Sequence, residues 1–271
     1  MTIDRLRPHY GFSRAPFGRD LAPQMLFPSR AHQEAVARIS WLIAEGALGL
    51  LTGEVGSGKT VAARAAVAAL LDHRHTVVYL GNPAIGVRGY YAQIVEALGG
   101  CPPFHTAALI AEAIACLYAE EAERGKRVVL ICDEAHLLSA AQLEEFRFLT
   151  NSEMDAHSPF AFLLLGQPTL RRRMRMGAYA ALDQRIALRY GLEGMELTET
   201  AAYLKHHLAL AGRSDPLFSD DAVALIHQTS RGLPRAVNNL AIQSLVAAFA
   251  ESKGIVDEAS ARAAVTEMAG E

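Results

Sequence analysis

A parallel α/β sheet covered by helices on both faces, followed by a smaller all-helical unit, is the architecture this sequence predicts. Three observations carry it. Four short apolar runs, at residues 47–51, 76–80, 128–132 and 160–165, are each bounded by turn residues, as strands buried on both faces are. Segments of helical period lie between them, at 61–71, 90–98, 109–122 and 142–149, and such alternation builds a parallel sheet. After about Leu192 no further strand-like run occurs, and the remaining apolar patterns are helical.

Taken in order, residues 1–28 come first, punctuated by Pro8, Pro16, Pro23 and Pro28 and by Gly11 and Gly18. Tyr10, Phe12, Phe17 and Phe27 stand between them, which predicts an irregular segment docking on the α/β core through its aromatics. Ser29 has the side chain of an N-cap for a helix reaching about Ala44, with Val36, Ile39 and Ile43 at helical spacing. The alternating strands and helices follow to about residue 195. Thr198 then predicts the cap of a helix with Ala201, Leu204, Leu208 and Ala211 on one face, stopped by Gly212. Ser219 predicts a second cap, with Val223 and Ile226 facing inward, and stretches 235–250 and 257–268 complete the unit. The domains so drawn are 1–28, 29–195 and 196–271.

A length of 271 residues suits one large domain with a smaller satellite, and a hydrophobic fraction of 51% is ample for a core. With 26 basic against 29 acidic side chains the net charge is −3, which excludes an overall polycation and leaves any nucleic-acid contact to a local patch. Cys101, Cys116 and Cys132 are odd in number and lack C-x-x-C spacing, which argues against a disulfide framework or cysteine zinc site and for a reducing compartment. Arg5 and Arg7 near the N-terminus accompany Asp4 without an apolar stretch behind them, and no run of about 18 apolar residues occurs, so a cytoplasmic chain without membrane association is expected.

The strongest chemical signal is Gly53-Glu54-Val55-Gly56-Ser57-Gly58-Lys59-Thr60, a full G-x-x-x-x-G-K-T between a predicted strand and a predicted helix opening at Val61. Glycines let backbone N–H groups wrap phosphates, and the helix N-terminus adds its positive end. Residues 53–61 then cradle a nucleotide, Lys59 reaches its β- and γ-phosphates, and the Thr60 hydroxyl ligates Mg²⁺. The strand 128–132 ends in Asp133-Glu134, where Asp133 can hold Mg²⁺ and Glu134 can polarise the attacking water. Gln167, in Gly166-Gln167-Pro168, can orient that water or touch the γ-phosphate. Arg171, Arg172, Arg173 and Arg175 follow, then Arg185 and Arg189, all candidates to reach a neighbouring subunit's nucleotide and equally readable as solvated cations. Arg235 stands in the first turn of a helix after a Gly232-x-Pro234 break. His73, His75, His206 and His207 lack metal-ligand company and read as surface or core residues.

This ordered set, together with Tyr10-Gly11-Phe12, Pro16-Phe17, Phe27 and His32, resembles the AAA+ ATPases of the ExeA-like group, which is similar to transposition helpers of the TniB, TnsC and IstB kind. The resemblance spans nearly the whole chain. It implies a three-layer P-loop AAA+ domain followed by a helical lid, with ATP as the nucleotide, bound between these and between neighbouring subunits. It makes Gln167 sensor 1, Arg235 sensor 2, and Arg185 or Arg189 the arginine finger. Secretion-type members of the group look longer, with a membrane segment and a cell-wall-binding domain, and that difference shifts the expectation toward transposition. The expected function is an ATP- and Mg²⁺-dependent oligomer on double-stranded DNA that hands a target to a transposase, with Arg74 and Arg88 as its DNA-facing patch. The rivals are an ExeA-like assembly ATPase acting on protein partners alone and an initiator or clamp-loader-like replication factor.

Overall fold

A computed structural model describes residues 6–18, 21–70, 73–150 and 158–269. Five strands, β1 (Leu48–Gly53), β2 (His75–Leu80), β3 (Arg127–Cys132), β4 (Phe160–Gly166) and β5 (Ile186–Leu192), form one parallel sheet in the order β2-β3-β4-β1-β5. The helices around the sheet are α2 (Arg30–Glu45), α3 (Lys59–Ala68), α4 (Gly86–Ala97), α5 (Thr106–Ala122), α6 (Ala140–Leu149), α7 (Pro168–Met174) and α8 (Ala180–Arg185); a short α1 (Leu6–Tyr10) precedes them. The helix expected at 61–71 starts two residues earlier, and its expected end, Leu71, lies outside the described residues.

The two-residue period of a strand explains why β3 and β4 read as unbroken apolar runs. Val128, Leu130, Cys132, Phe160, Phe162 and Leu164 join one core with Tyr90, Ile94, Leu109 and Phe146 of α4, α5 and α6. The alternate residues Val129, Ile131, Ala161, Leu163 and Leu165 are equally buried and face the other side, where Leu42 of α2 lies against Gly49. The fifth strand was not anticipated. In β5 buried Ile186 and Leu188 alternate with exposed Ala187 and Arg189, and Gly191 follows, as suits a strand paired only with β1 among the described residues, so the sequence offers no continuous apolar run.

The chain divides into two compact units, one of Glu34–Val55 with Lys59–Leu192 and one of the described residues of Met1–Gln33, Gly56–Gly58 and Glu193–Glu271. The second unit contains α9 (Leu197–Leu210), α10 (Asp220–Ser230), α11 (Pro234–Ala250) and α12 (Glu258–Ala269). Leu6, Tyr10, Phe12 and Phe17 are buried in its core beside Leu204, Leu208, Phe218 and Leu240, and the Tyr10 hydroxyl donates to the Leu245 carbonyl at 3.0 Å. This corrects the expectation that the N-terminal segment docks on the α/β core. Its aromatics announce that they need an apolar partner without saying which, and four short helices left a core that these side chains complete.

Two caps in this unit part ways. Ser219 caps α10 as expected, its hydroxyl accepting from the Ala222 N–H at 3.2 Å. For α9 the cap is Glu196 and not Thr198: its carboxylate accepts from the Glu199 N–H while the Glu199 carboxylate accepts from the Glu196 N–H at 3.1 Å, which leaves Thr198 inside the first turn.

Candidate functional site

The register pairs Thr52 with Gly166 and Cys132 with Leu164, so the C-terminal ends of β1, β4 and β3 lie side by side. Whatever follows these strands shares one edge of the sheet, the edge at which open α/β sheets bind ligands. β1 runs into residues 54–58 and α3 begins at Lys59. Gly56 (φ 80°) and Gly58 (φ 99°) hold left-handed backbone that glycine alone enters cheaply. Lys59 is buried, its Nζ donating to the carbonyls of Gly53 at 2.8 Å and Glu54 at 2.9 Å. The Ser57 hydroxyl is buried with no protein partner, a polar atom left for something the loop would enclose.

Beyond β3, three donors converge on the Asp133 carboxylate. The Thr60 hydroxyl donates to Oδ2 at 2.7 Å, the Tyr79 hydroxyl donates to the same oxygen at 2.9 Å, and the Glu134 N–H donates to Oδ1 at 2.8 Å. Burial first, and then the bond to Asp133, push the Tyr79 hydroxyl up to about 12, so it stays a donor. Burial likewise keeps the Cys132 thiol protonated, up to about 12, so no thiolate stands behind the site. Glu134 adopts left-handed backbone (φ 51°, ψ 31°), and its carboxylate is half exposed. Glu134 Oε2 lies 3.4 Å from His136 Nδ1, a close approach without hydrogen-bond geometry. Gln167 follows β4 at the N-cap of α7, where its side chain makes no capping bond.

The structure thus gathers Lys59, Thr60, Asp133, Glu134 and Gln167 at one edge of the sheet. Hard oxygens from Thr60 and Asp133 suit a magnesium ion carried largely by phosphates and water, and the glycine-rich loop with its unpartnered Ser57 hydroxyl suits a nucleotide.

The remaining candidates lie elsewhere. Arg185 immediately precedes β5, donates to the Thr150 carbonyl at 3.3 Å, and lines a cavity of about 250 Å³ with Ala47, Leu48, Phe160 and Phe162 at the strands' N-terminal ends. A six-residue strand such as β1 spans roughly 20 Å, so Arg185 is far from its own loop. Arg189, within β5, is tied to the Asp183 carboxylate at 3.1 Å and to the Ile186 carbonyl at 2.7 Å. Arg171, Arg172 and Arg175 are exposed, whereas Arg173 pins the turn after Glu134 by donating to the carbonyls of His136 at 3.0 Å and Leu138 at 2.9 Å. Arg235 stands in the first turn of α11, its backbone N–H donating to the Gly56 carbonyl at 3.2 Å within the second unit.

Arg74 and Arg88 do not form a patch. Arg74 precedes β2 and Arg88 lies in the first turn of α4 beyond its other end, a strand length of roughly 20 Å away. Arg88 is also engaged, donating to the carbonyls of Pro103 and Phe104 at 3.2 Å each. The sequence showed two loop arginines flanking one strand but not that a strand's two ends are opposite edges of the sheet. His206 and His207 belong to the packing of the second unit, His206 bonding the Met25 carbonyl at 2.8 Å and His207 stacking on Phe17 at 5.3 Å. Two neighbours of the site went unread, Tyr79 and His136. The available signal was weak: Tyr79 sits one residue from the end of a predicted strand, and only the pairing of Tyr79 with Ile131 brings it beside Asp133.

Comparison with known proteins gives concordant likenesses. Residues 43–174 match the family model described as AAA domain. The chain is 32% identical over 265 residues to General secretion pathway protein A of Aeromonas hydrophila, covering 96% of this chain and 48% of that protein. It therefore spans about half the length of this curated relative. Among solved structures it is similar to Drosophila ORC bound to DNA (TM-score 0.70, 16% identity, 98% of this chain and 65% of that one). It is also similar to Cdc6p from Pyrobaculum aerophilum (0.65, 17%, 89% and 67%) and to the RuvB Holliday junction branch migration motor of Thermotoga maritima (0.57, 20%, 87% and 69%). At such identities these structures speak to the fold alone.

Proposed function

We propose that this chain, whose residues 43–174 match the AAA domain model, is an ATP hydrolase and forms the ATPase portion of an assembly machine of the General secretion pathway protein A type, acting on protein partners. The likeness to that protein over 96% of the chain supports the partner class. The observation that carries the nucleotide chemistry is the 2.7 Å bond between Thr60 and Asp133 at the head of the loop. The expectation drawn from a missing membrane segment and cell-wall-binding domain drops out, because a chain spanning 48% of its relative says nothing of the remainder. Replication initiation keeps only a fold likeness, none of the relatives described above is a transposition protein, and Arg74 and Arg88, the candidate DNA contacts, stand at opposite edges of the sheet.

In this reading the ATPase module ends near residue 195 and a helical unit from 196 follows, with the N-terminal segment belonging to the latter. Residues 53–61 would hold the phosphates of ATP, with Lys59 supplying the cation and Ser57 a further donor. Thr60 and Asp133 would hold Mg²⁺, which when bound neutralises phosphate charge. Glu134 orients a water and accepts its proton, Gln167 steadies that water, and Arg235 is the cation beside the loop. Arg185, remote from its own loop, acts on a neighbouring subunit, with Arg189 second, so the working form is an oligomer. Among the described residues no helix is long and apolar enough to cross a membrane; a cytoplasmic site is part of the proposal.

Two measurements test it. Lys59→Ala should lose nucleotide binding, whereas Glu134→Gln should bind normally and hydrolyse about 10²-fold or more slowly, since it removes only the proton acceptor. Wild-type hydrolysis by Glu134→Gln would reject the assignment. Filter binding of duplex DNA, with and without a non-hydrolysable ATP analogue, should give retention that the analogue does not change. Analogue-dependent retention that falls steeply between about 50 and 200 mM salt would overturn the protein-partner reading.

A further inference from the structure

Asp133 Oδ2 receives two hydroxyls from two different elements, Thr60 in the first turn of α3 and Tyr79 on β2. Thr60 is read as a ligand of the metal itself. Tyr79 has no role in that reading, yet the fold takes trouble to aim it. The parallel pairing of Tyr79 with Ile131, one step before Leu80 with Cys132, sets its ring beside the end of β3. The ring then leans over Gly81, where an added Cβ would come within 2.6 Å of Tyr79 Cε1. Tyr79 is 55% exposed, so the hydroxyl's position owes more to the Asp133 bond and the bare glycine than to packing in a core.

We propose that Tyr79 is a positioning residue for magnesium: its hydroxyl fixes Asp133 Oδ2 in the orientation that receives the ion, and Gly81 lacks a side chain so that the ring can reach. The proposal rests on the reading of Thr60 and Asp133 as the magnesium side of a nucleotide site. Groups that orient a metal-binding carboxylate are typically worth about 10- to 100-fold in metal affinity. A ring that served only to cover the sheet edge would be indifferent to loss of its hydroxyl.

The test is a Mg²⁺ titration of the binding of a fluorescent ATP analogue, followed by anisotropy, with a parallel titration in EDTA. Tyr79→Phe should leave the affinity in EDTA unchanged, raise the half-saturating Mg²⁺ concentration about tenfold, and return to near wild-type turnover when Mg²⁺ is saturating. Gly81→Ala should shift the midpoint in the same direction while keeping the hydroxyl, because its Cβ displaces the ring. An unchanged Mg²⁺ midpoint in Tyr79→Phe overturns the proposal, and so does an equal loss of affinity in EDTA, which would mark a packing role. A wild-type protein that binds the analogue equally well in Mg²⁺ and in EDTA defeats the underlying reading before any variant is compared, so the two failures are told apart.

Discussion

Replacing Phe17 by alanine and by glycine should destabilise the helical unit in both cases, yet leave the glycine variant the more stable of the two. Phe17 is 3% exposed, stacks on His207 at 5.3 Å and meets Phe218 edge-on at 6.3 Å. Truncating so buried a phenylalanine to alanine costs about 3–5 kcal/mol. Its backbone, however, sits at φ 58°, in the left-handed region, where a residue with a Cβ is worse off by roughly 1–2 kcal/mol. Glycine escapes that strain and gives back about 0.4–1 kcal/mol through its greater freedom in the unfolded chain. The difference leaves glycine ahead of alanine by roughly 1 kcal/mol, the reverse of the usual order. At about 2–4 °C per kcal/mol for a chain of this size, alanine should lower the melting midpoint by roughly 6–20 °C and glycine by a few degrees less. Thermal unfolding followed by circular dichroism measures both. An alanine variant melting within about 2 °C of wild type would refute the placement of the N-terminal segment in this core, and a glycine variant melting below the alanine one would refute the strain argument.

The helical unit should also carry a pH signature. Burial first, then His206 and Arg14, hold the His207 imidazole down at about 4 from 6.5, so the unfolded chain binds a proton that the folded one refuses. Its contribution is whole above about pH 6.5 and is lost as pH falls toward 4, on the order of 3 kcal/mol in all; a wild-type midpoint that stays level across that window, or a His207→Phe variant that keeps the slope, would contradict it. Hydrolysis per subunit should rise with protein concentration, since an arginine supplied by a neighbour is worth about 10³ to 10⁵ in rate. Mixing folded Arg185→Ala with folded Lys59→Ala subunits should restore part of the activity at mixed interfaces, and a mixture as silent as its components would remove Arg185 from that role.

The sequence by itself determined what is contiguous. Residues 53–60 form a phosphate loop wherever a strand precedes them and a helix follows, because glycine backbone freedom and a helix N-terminus are local properties, and Asp133-Glu134 at the end of an apolar run is legible for the same reason. The β3 and β4 runs announce themselves because both faces are buried. Tertiary structure decided everything that depends on which elements become neighbours. The strand order, with β4 inserted between β1 and β3, sets Gln167 between the loop and Asp133, and the β2–β3 pairing brings in Tyr79. It placed Arg185 at the far end of the strands and split Arg74 from Arg88. β5 stayed hidden because an edge strand can expose Ala187 and Arg189, which erases the apolar run that betrays a central strand. The N-terminal aromatics were recognisable as a docking segment, but their partner was not, since burial of apolar surface has no direction of its own and any complementary core will serve.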